Sequence, residues 1–185
     1  MNSTEQQVEQ AVSVIKSGGI VAYPTESVFG LGCDPFNQKA VERILQIKGR
    51  LQKKGLIVIA SHVQQIVPLI QPKHPNDLAR ALKTWPGHHT WIFPKSSRVP
   101  AWISGNFETI AVRVSAHPIV KALCDNLNGS LVSTSANIAN QAVLNSIKDI
   151  EMQFGDKIDA FINAPLGNYD KPSTITVAHT LEQLR

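Results

Sequence analysis

"IKGRLQKKGLIVIA", residues 47–60, sets Lys48, Arg50, Lys53 and Lys54 directly before the apolar run Leu56 to Ala60. A short apolar run without polar interruption is the mark of a strand covered on both faces, the strand type of α/β sheets. The charge before it admits two physical readings. Cations at a helix end are favoured by the macrodipole and need no ligand. Alternatively an anion is held against the sheet, with Arg supplying a planar fork and Lys a point charge.

Working outward, helix and strand patterns alternate. Val8, Ala11, Val12 and Ile15 form an amphipathic stripe that Gly18-Gly19 ends. "IVAYPT" (20–25) reads as a buried strand halted by Pro24, and "VFGLGCDP" (28–35) as a glycine-punctuated loop. Ala40, Val41, Ile44 and Leu45 make a second helical stripe that runs into the cations. Residues 61–70 and 75–85 are predicted helical, "HTWIFP" (89–94) and "TIAVRVS" (109–115) strands. "HPIVKALCDNL" (117–127) is predicted as a helix with Pro118 at its start, "SLVST" (130–134) as a strand and "SANIAN" (135–140) as a loop. A helix over 146–154 and late strands at "DAFIN" (159–163) and "STITV" (173–177) complete the pattern. The alternation predicts an α/β fold, with residues 1–185 forming a single domain around an open twisted sheet, mixed or parallel, with flanking helices.

The totals agree with that class. The chain has 185 residues, 43% hydrophobic and 17% charged, a globular composition and not a disordered one. A net charge of +4 suits anionic partners such as nucleotides, RNA or phosphorylated metabolites. The polar N-terminal stretch shows no signal peptide, and no apolar run approaches the roughly 20 residues that cross a bilayer. Cys33 and Cys124 form no CxxC pair, which fits two reduced thiols in a cytoplasmic protein. The histidines lack zinc spacing, and neither a Walker A loop nor a GxSxG elbow is present.

Four further segments carry candidate chemistry. "LVSTSANIAN" (131–140) runs a buried strand into Ser133, Thr134, Ser135 and Asn137, where ligands of open α/β sheets sit; a capped turn would look the same. Arg113, inside a strand, either faces outward, pairs in the core, or clamps a carboxylate from a cleft. "AYPTES" (22–27) presents Thr25 and Glu26 at a strand end, and "KPSTITV" (171–177) offers Ser173 and Thr174 ahead of another.

Taken in order, "AYPTESVFGLGCDP", K-x-R at "KGR", "KGLIVIA", "WPGHHTWIFP", "AVRVSAHP", "VSTSAN" and "PSTITV" resemble the YrdC/TsaC family of threonylcarbamoyl-AMP synthases, over about residues 8 to 178. The resemblance implies a YrdC-like sheet curved around a basic concave cleft. It implies a nucleotidyltransferase that joins L-threonine, bicarbonate (or CO2) and ATP, with Mg²⁺ accompanying ATP, to give threonylcarbamoyl-adenylate and pyrophosphate. Other proteins would then transfer the group to the tRNA adenosine beside the anticodon. Lys48 and Arg50 would be the catalytic cations and, with Lys54, Ser135 and Asn137, bind the nucleotide. Arg113 would hold the threonine carboxylate; Thr25, Ser133 and Ser173 would line the threonine pocket, with Tyr23 in its wall. Lys53 would be solvated. No metal site of protein side chains is implied. Leu51 stands where the family commonly has proline, His88-His89 where proline and an apolar residue are common, and Ile138-Ala139 where Ser-Gly often follows. The alternative is a non-catalytic protein that uses the basic cleft for tRNA or structured rRNA.

Overall fold

The computed structural model describes residues 3–185; Met1 and Asn2, at the head of the polar N-terminal stretch, lie outside them. The chain runs α1 (Thr4–Lys16), β1 (Val21–Pro24), β2 (Phe29–Gly32), α2 (Gln38–Lys48), a 3-10 turn (Gln52–Lys54) and β3 (Ile57–Ala60). Then come α3 (Val63–Ile66), α4 (Pro75–Leu82), β4 (His89–Pro94), α5 (Ala101–Ser104), β5 (Thr109–Val114) and α6 (Pro118–Leu127). β6 (Leu131–Ser135), α7 (Ile147–Phe154), β7 (Ala160–Phe161) and β8 (Thr174–Val177) end it. Eight strands make one mixed sheet in the order β7-β1-β2-β6-β3-β5-β4-β8. β1/β7, β3/β5 and β4/β8 pair in parallel and the other neighbours antiparallel. The mixed sheet and flanking helices are the predicted class. Among the described residues no helix is long and apolar enough to cross a membrane.

β3 lies at the centre, as its apolar run requires. Side chains alternate between the two faces. Val58, Ala60, Val112, Val114 and Val132 pack on one face against α2 and its neighbours. On the other, Ile59, Leu131, Val21 and Tyr23 pack against α1 and α6. Those two helices cover only one end of their face. The rest of it, carrying Ile57, Ala111, Arg113 and Ser133, lies open and forms the wall of a cavity. The fold makes its site by leaving half of one sheet face without a helix.

"VFGLGCDP" contains β2 and is not a loop throughout. Its glycines serve a close approach. Tyr23 pairs with Gly30, and its ring lies over Gly32. A Cβ on Gly32 would come within 2.7 Å of both the Tyr23 ring and the Val132 carbonyl oxygen. The short α5 and the 3-10 turn were also absent from the sequence pattern, being too brief to show a period. Cys33 and Cys124 are buried free thiols.

Gly32→Ala must therefore overpack the β1/β2 hairpin against β6. Urea unfolding should show a loss of about 1–3 kcal/mol. An unchanged midpoint would mean that the hairpin can open without cost.

Candidate active site

The cavity has a volume of about 650 Å³ and two chemically different ends. Thr25, Arg113, Ser133 and Ser173 line one end; Arg50, Lys54 and Ser135 line the other. Apolar side chains lie between them, among them Ile57, Ile92 and Ala111, with Phe107 and Leu184. Beside the cationic end is a polar recess of about 250 Å³ that shares Arg50, Lys54, Thr134 and Ser135 and adds Lys48 and Asn137. Lys53 is exposed and lines neither space, as expected.

The cationic end is built on the C-terminus of α2. Gly49, at φ 58, turns the chain so that Lys48 points inward and Arg50 follows it. Lys48 is only 2% exposed. Its ammonium donates to the carbonyl oxygens of Ser135 and Asn137. In return the Ala139 amide donates to the Lys48 carbonyl at 2.8 Å. Lys48 thus clamps the turn that follows β6. Burial, and then the Arg50 guanidinium, push its pKa down to about 8. Arg50 donates from Nη2 to the Gly55 carbonyl at 2.8 Å, while its buried Nε has no hydrogen-bond partner. Burial lowers its pKa too. Neither Lys48 nor Arg50 has a carboxylate in ion-pair range among the described residues, so their charge is unneutralised.

Asn137 is committed to its own turn. Its Oδ1 accepts from the Ser135 hydroxyl at 2.5 Å, and its Nδ2 donates to the carbonyls of Ile138 and Gln141 at 2.9 and 2.8 Å. It organises the loop that presents Ser135.

The other end hangs on Arg113, which is 6% exposed. It both pairs in the core and borders the cavity. Its Nη2 lies 3.3 Å from Glu26 Oε2, aligned so that Glu26 Oε2 and Arg113 Nε keep no hydrogen bond. Glu26 Oε1 accepts from the Ser115 hydroxyl at 2.7 Å and the Ala116 amide at 3.1 Å. Burial alone would raise the Glu26 carboxyl; Arg113 and the Ser115 hydroxyl outweigh it and hold the pKa below the ordinary value. Thr25 is fixed by its hydroxyl and amide, both donating to the Val28 carbonyl, at 2.7 and 3.0 Å. The Ser173 hydroxyl shares a hydrogen bond with Thr90 at 2.8 Å.

Tyr23 is the correction to the expected site. It is fully buried and is not part of the cavity wall; its hydroxyl reaches the Val132 carbonyl at 3.4 Å. Strand alternation points it at α1 and α6, behind the glycines of β2. Three neighbours of the site were missed as contributors. Glu26 stands in the "AYPTES" strand end with no role assigned by the sequence, and is the counter-charge of Arg113. Arg185 donates from Nε to the Ser173 carbonyl at 3.0 Å and adds a third guanidinium to the cavity lining, after Arg50 and Arg113. His88 comes within 3.3 Å of Arg113. Nothing local in the sequence marks these long-range pairs.

A family model described as "Telomere recombination" (Sua5/YciO/YrdC) matches residues 13–185. The chain belongs to the Sua5/YciO/YrdC family. Among curated relatives, the threonylcarbamoyl-AMP synthase of Coxiella burnetii (strain RSA 493 / Nine Mile phase I) is 47% identical over 185 residues, covering 100% of both chains. That of Vibrio parahaemolyticus serotype O3:K6 is 42% identical over 179 residues, covering 96% of this chain and 97% of its own. Sua5 of P. abyssi, solved in complex with L-threonine, superposes with a TM-score of 0.89 at 30% identity. The match covers 99% of this chain and 54% of the Sua5 chain, so this chain spans about half of that protein.

Within this Sua5/YciO/YrdC domain, His88, His89 and His117 are all held below the usual imidazole value of 6.5, burial being the main cause in each. The unfolded chain therefore takes up protons that the native one refuses. Stability is full above about pH 6.5 and declines as pH falls below it. The thermal midpoint should drop between pH 6.5 and 5, before the carboxylates titrate. A flat midpoint across that window would contradict the burial of these rings.

Proposed function

We propose that this chain is a threonylcarbamoyl-AMP synthase, an enzyme that uses L-threonine, bicarbonate or CO2, and ATP and releases pyrophosphate. The observation that carries the reading is the two-ended cavity. A cluster of unneutralised cations with an unpartnered Arg50 Nε faces one end, and a pre-oriented guanidinium among hydroxyls faces the other. The names of the relatives and the threonine bound by P. abyssi Sua5 support it.

In this reading Arg113 takes the threonine carboxylate as a fork, and Thr25, Ser133 and Ser173 line the pocket around the amino acid. Arg50 and Lys54 neutralise the triphosphate, Ser135 lines the space it enters with its hydroxyl hydrogen held by Asn137, and Lys48 acts chiefly by holding the turn that carries Ser135. The apolar wall between the ends suits the adenine ring. Mg²⁺ enters as part of the ATP substrate.

The threonine nitrogen forms a bond to the carbon of CO2 and loses a proton, giving a carbamate. A carbamate oxygen attacks the α-phosphorus; the bond from that phosphorus to the bridging oxygen breaks, and pyrophosphate leaves with the electron pair. Such a transfer asks the protein for positioning and for fixed positive charge where negative charge spreads. Among the described residues no nucleophile is required.

The product is a mixed anhydride that other proteins pass to the tRNA adenosine beside the anticodon. We read residues 1–185 as one such catalytic domain, acting in the cytoplasm. The RNA-only reading is disfavoured because Arg113 and Glu26 are buried together, out of reach of a phosphate backbone.

Pyrophosphate release by the purified protein tests the proposal. Release should require ATP, threonine and bicarbonate together and fall when serine replaces threonine. Release independent of threonine, or none from folded protein, would overturn it.

A further inference from the structure

His88 lies in the turn between α4 and β4, and its ring makes three contacts. Nε2 is 2.8 Å from the Lys171 carbonyl oxygen, and Nδ1 is 3.3 Å from Arg113 Nη1. The ring stacks on Tyr169, with centroids 4.3 Å apart and planes at 26°. A carbonyl oxygen only accepts, so Nε2 must carry the hydrogen. A guanidinium only donates, so Nδ1 must offer its lone pair. One species satisfies both partners: neutral imidazole with hydrogen on Nε2.

Arg113 is thereby held at two points, by Glu26 on Nη2 and by His88 on Nη1. Two contacts on a planar group fix its plane. The segment carrying Tyr169 and Lys171 is itself tied to the β1/β2 turn. Gly167 and Tyr169 donate their amides to the carbonyls of Thr25 and Glu26 at 3.0 and 3.1 Å. His88 therefore joins the wall of the amino-acid end to the guanidinium that borders it.

We infer that His88 is a positioning residue for amino-acid binding: as neutral imidazole it holds Arg113 in the plane that receives the carboxylate. This rests on the reading of Arg113 as the carboxylate clamp. Protonation would put hydrogen on Nδ1 opposite an Arg113 N–H and abolish the contact. The groups around the ring decide when that happens. Burial disfavours the cation, Arg113 and Arg185 repel it, and the Lys171 carbonyl and Glu26 favour it; the balance lowers the pKa below 6.5. Tyr169 packs on the ring face. The neighbouring His89 is separate: it contacts Thr176 Oγ1 at 2.9 Å and stacks on Trp91.

Two variants separate positioning from packing. In His88→Leu both polar contacts go. In His88→Asn, Oδ1 stands near the place of Nδ1 and accepts from Arg113 but cannot titrate in this range. Threonine binding is read by calorimetry from pH 8 to 5, with ATP affinity as the control. At pH 8, His88→Leu should weaken threonine about tenfold and His88→Asn no more than about threefold, on the scale of one charge-assisted hydrogen bond. ATP affinity should hold within about twofold in both, on the same scale. Wild-type threonine affinity should fall as pH drops below 6.5, while His88→Asn stays flat and His89→Gln follows the wild type. Unchanged threonine affinity in His88→Leu, or the same acid loss in His88→Asn, overturns the inference. Arg113→Ala tells the two failures apart. If it loses threonine while His88→Leu does not, this inference alone falls; if it keeps threonine, the clamp reading falls and takes this inference with it.

Discussion

A charged group inside a central strand is the constraint around which this protein is arranged. Arg113 sits in β5, beside β3, with 6% of its surface exposed. An isolated buried charge is so costly that it must be paired or must neutralise, and a guanidinium does not neutralise. Glu26 supplies the counter-charge from the β1/β2 turn, so the hairpin must close onto the sheet in one register. Glu26 in turn needs the Ser115 hydroxyl and the Ala116 amide, which fixes the chain after β5. Losing one partner of such a pair typically costs about 3–5 kcal/mol, because the other charge stays buried. The pair is better understood as a device for orientation than as a source of stability.

The cationic end solves the opposite problem. Lys48 and Arg50 are largely withdrawn from water and meet carbonyls where carboxylates would have neutralised them. That arrangement is unfavourable for the empty protein and favourable for a polyanion, since donors fixed in advance need not reorganise when charge arrives. Stability is given up at the place where binding needs it. Phosphate binding would raise the pKa of Lys48 again, which burial has brought down to about 8. The two ends are joined by a sheet face that α1 and α6 leave bare, so the same strands that build the core also set the distance between the ligands.

Much of this was legible in the chain. Apolar stripes at helical spacing located α1 and α2, Pro118 marked the start of α6, an uninterrupted run located β3, and a run broken by Arg113 located β5. The mixed sheet followed from their alternation. The candidate residues Thr25, Arg50, Lys54, Arg113, Ser133, Ser135 and Ser173 meet at one cavity. What failed did so for identifiable reasons. Gly30 and Gly32 suggested a loop, yet they belong to a strand that must pass under the Tyr23 ring. Tyr23 shares a motif and a strand face with Thr25, but its ring lies over Gly30 and Gly32 and is buried in the α1/α6 core behind the cavity. Lys48 and Asn137 carry ligand-like chemistry and spend it on the turn between them. Glu26, Arg185 and His88 matter through partners far away in sequence, and no local pattern encodes such pairings.

The central claim is that one cavity binds two substrates through separable groups. Calorimetric titration of ATP and of threonine into the wild type, Arg50→Ala and Arg113→Ala tests it most directly. Arg50→Ala should weaken ATP by roughly 1.5–3 kcal/mol, as for a charged hydrogen bond, and leave threonine nearly unchanged; Arg113→Ala should do the reverse. Equal loss of both ligands in each folded variant would contradict the two-ended site.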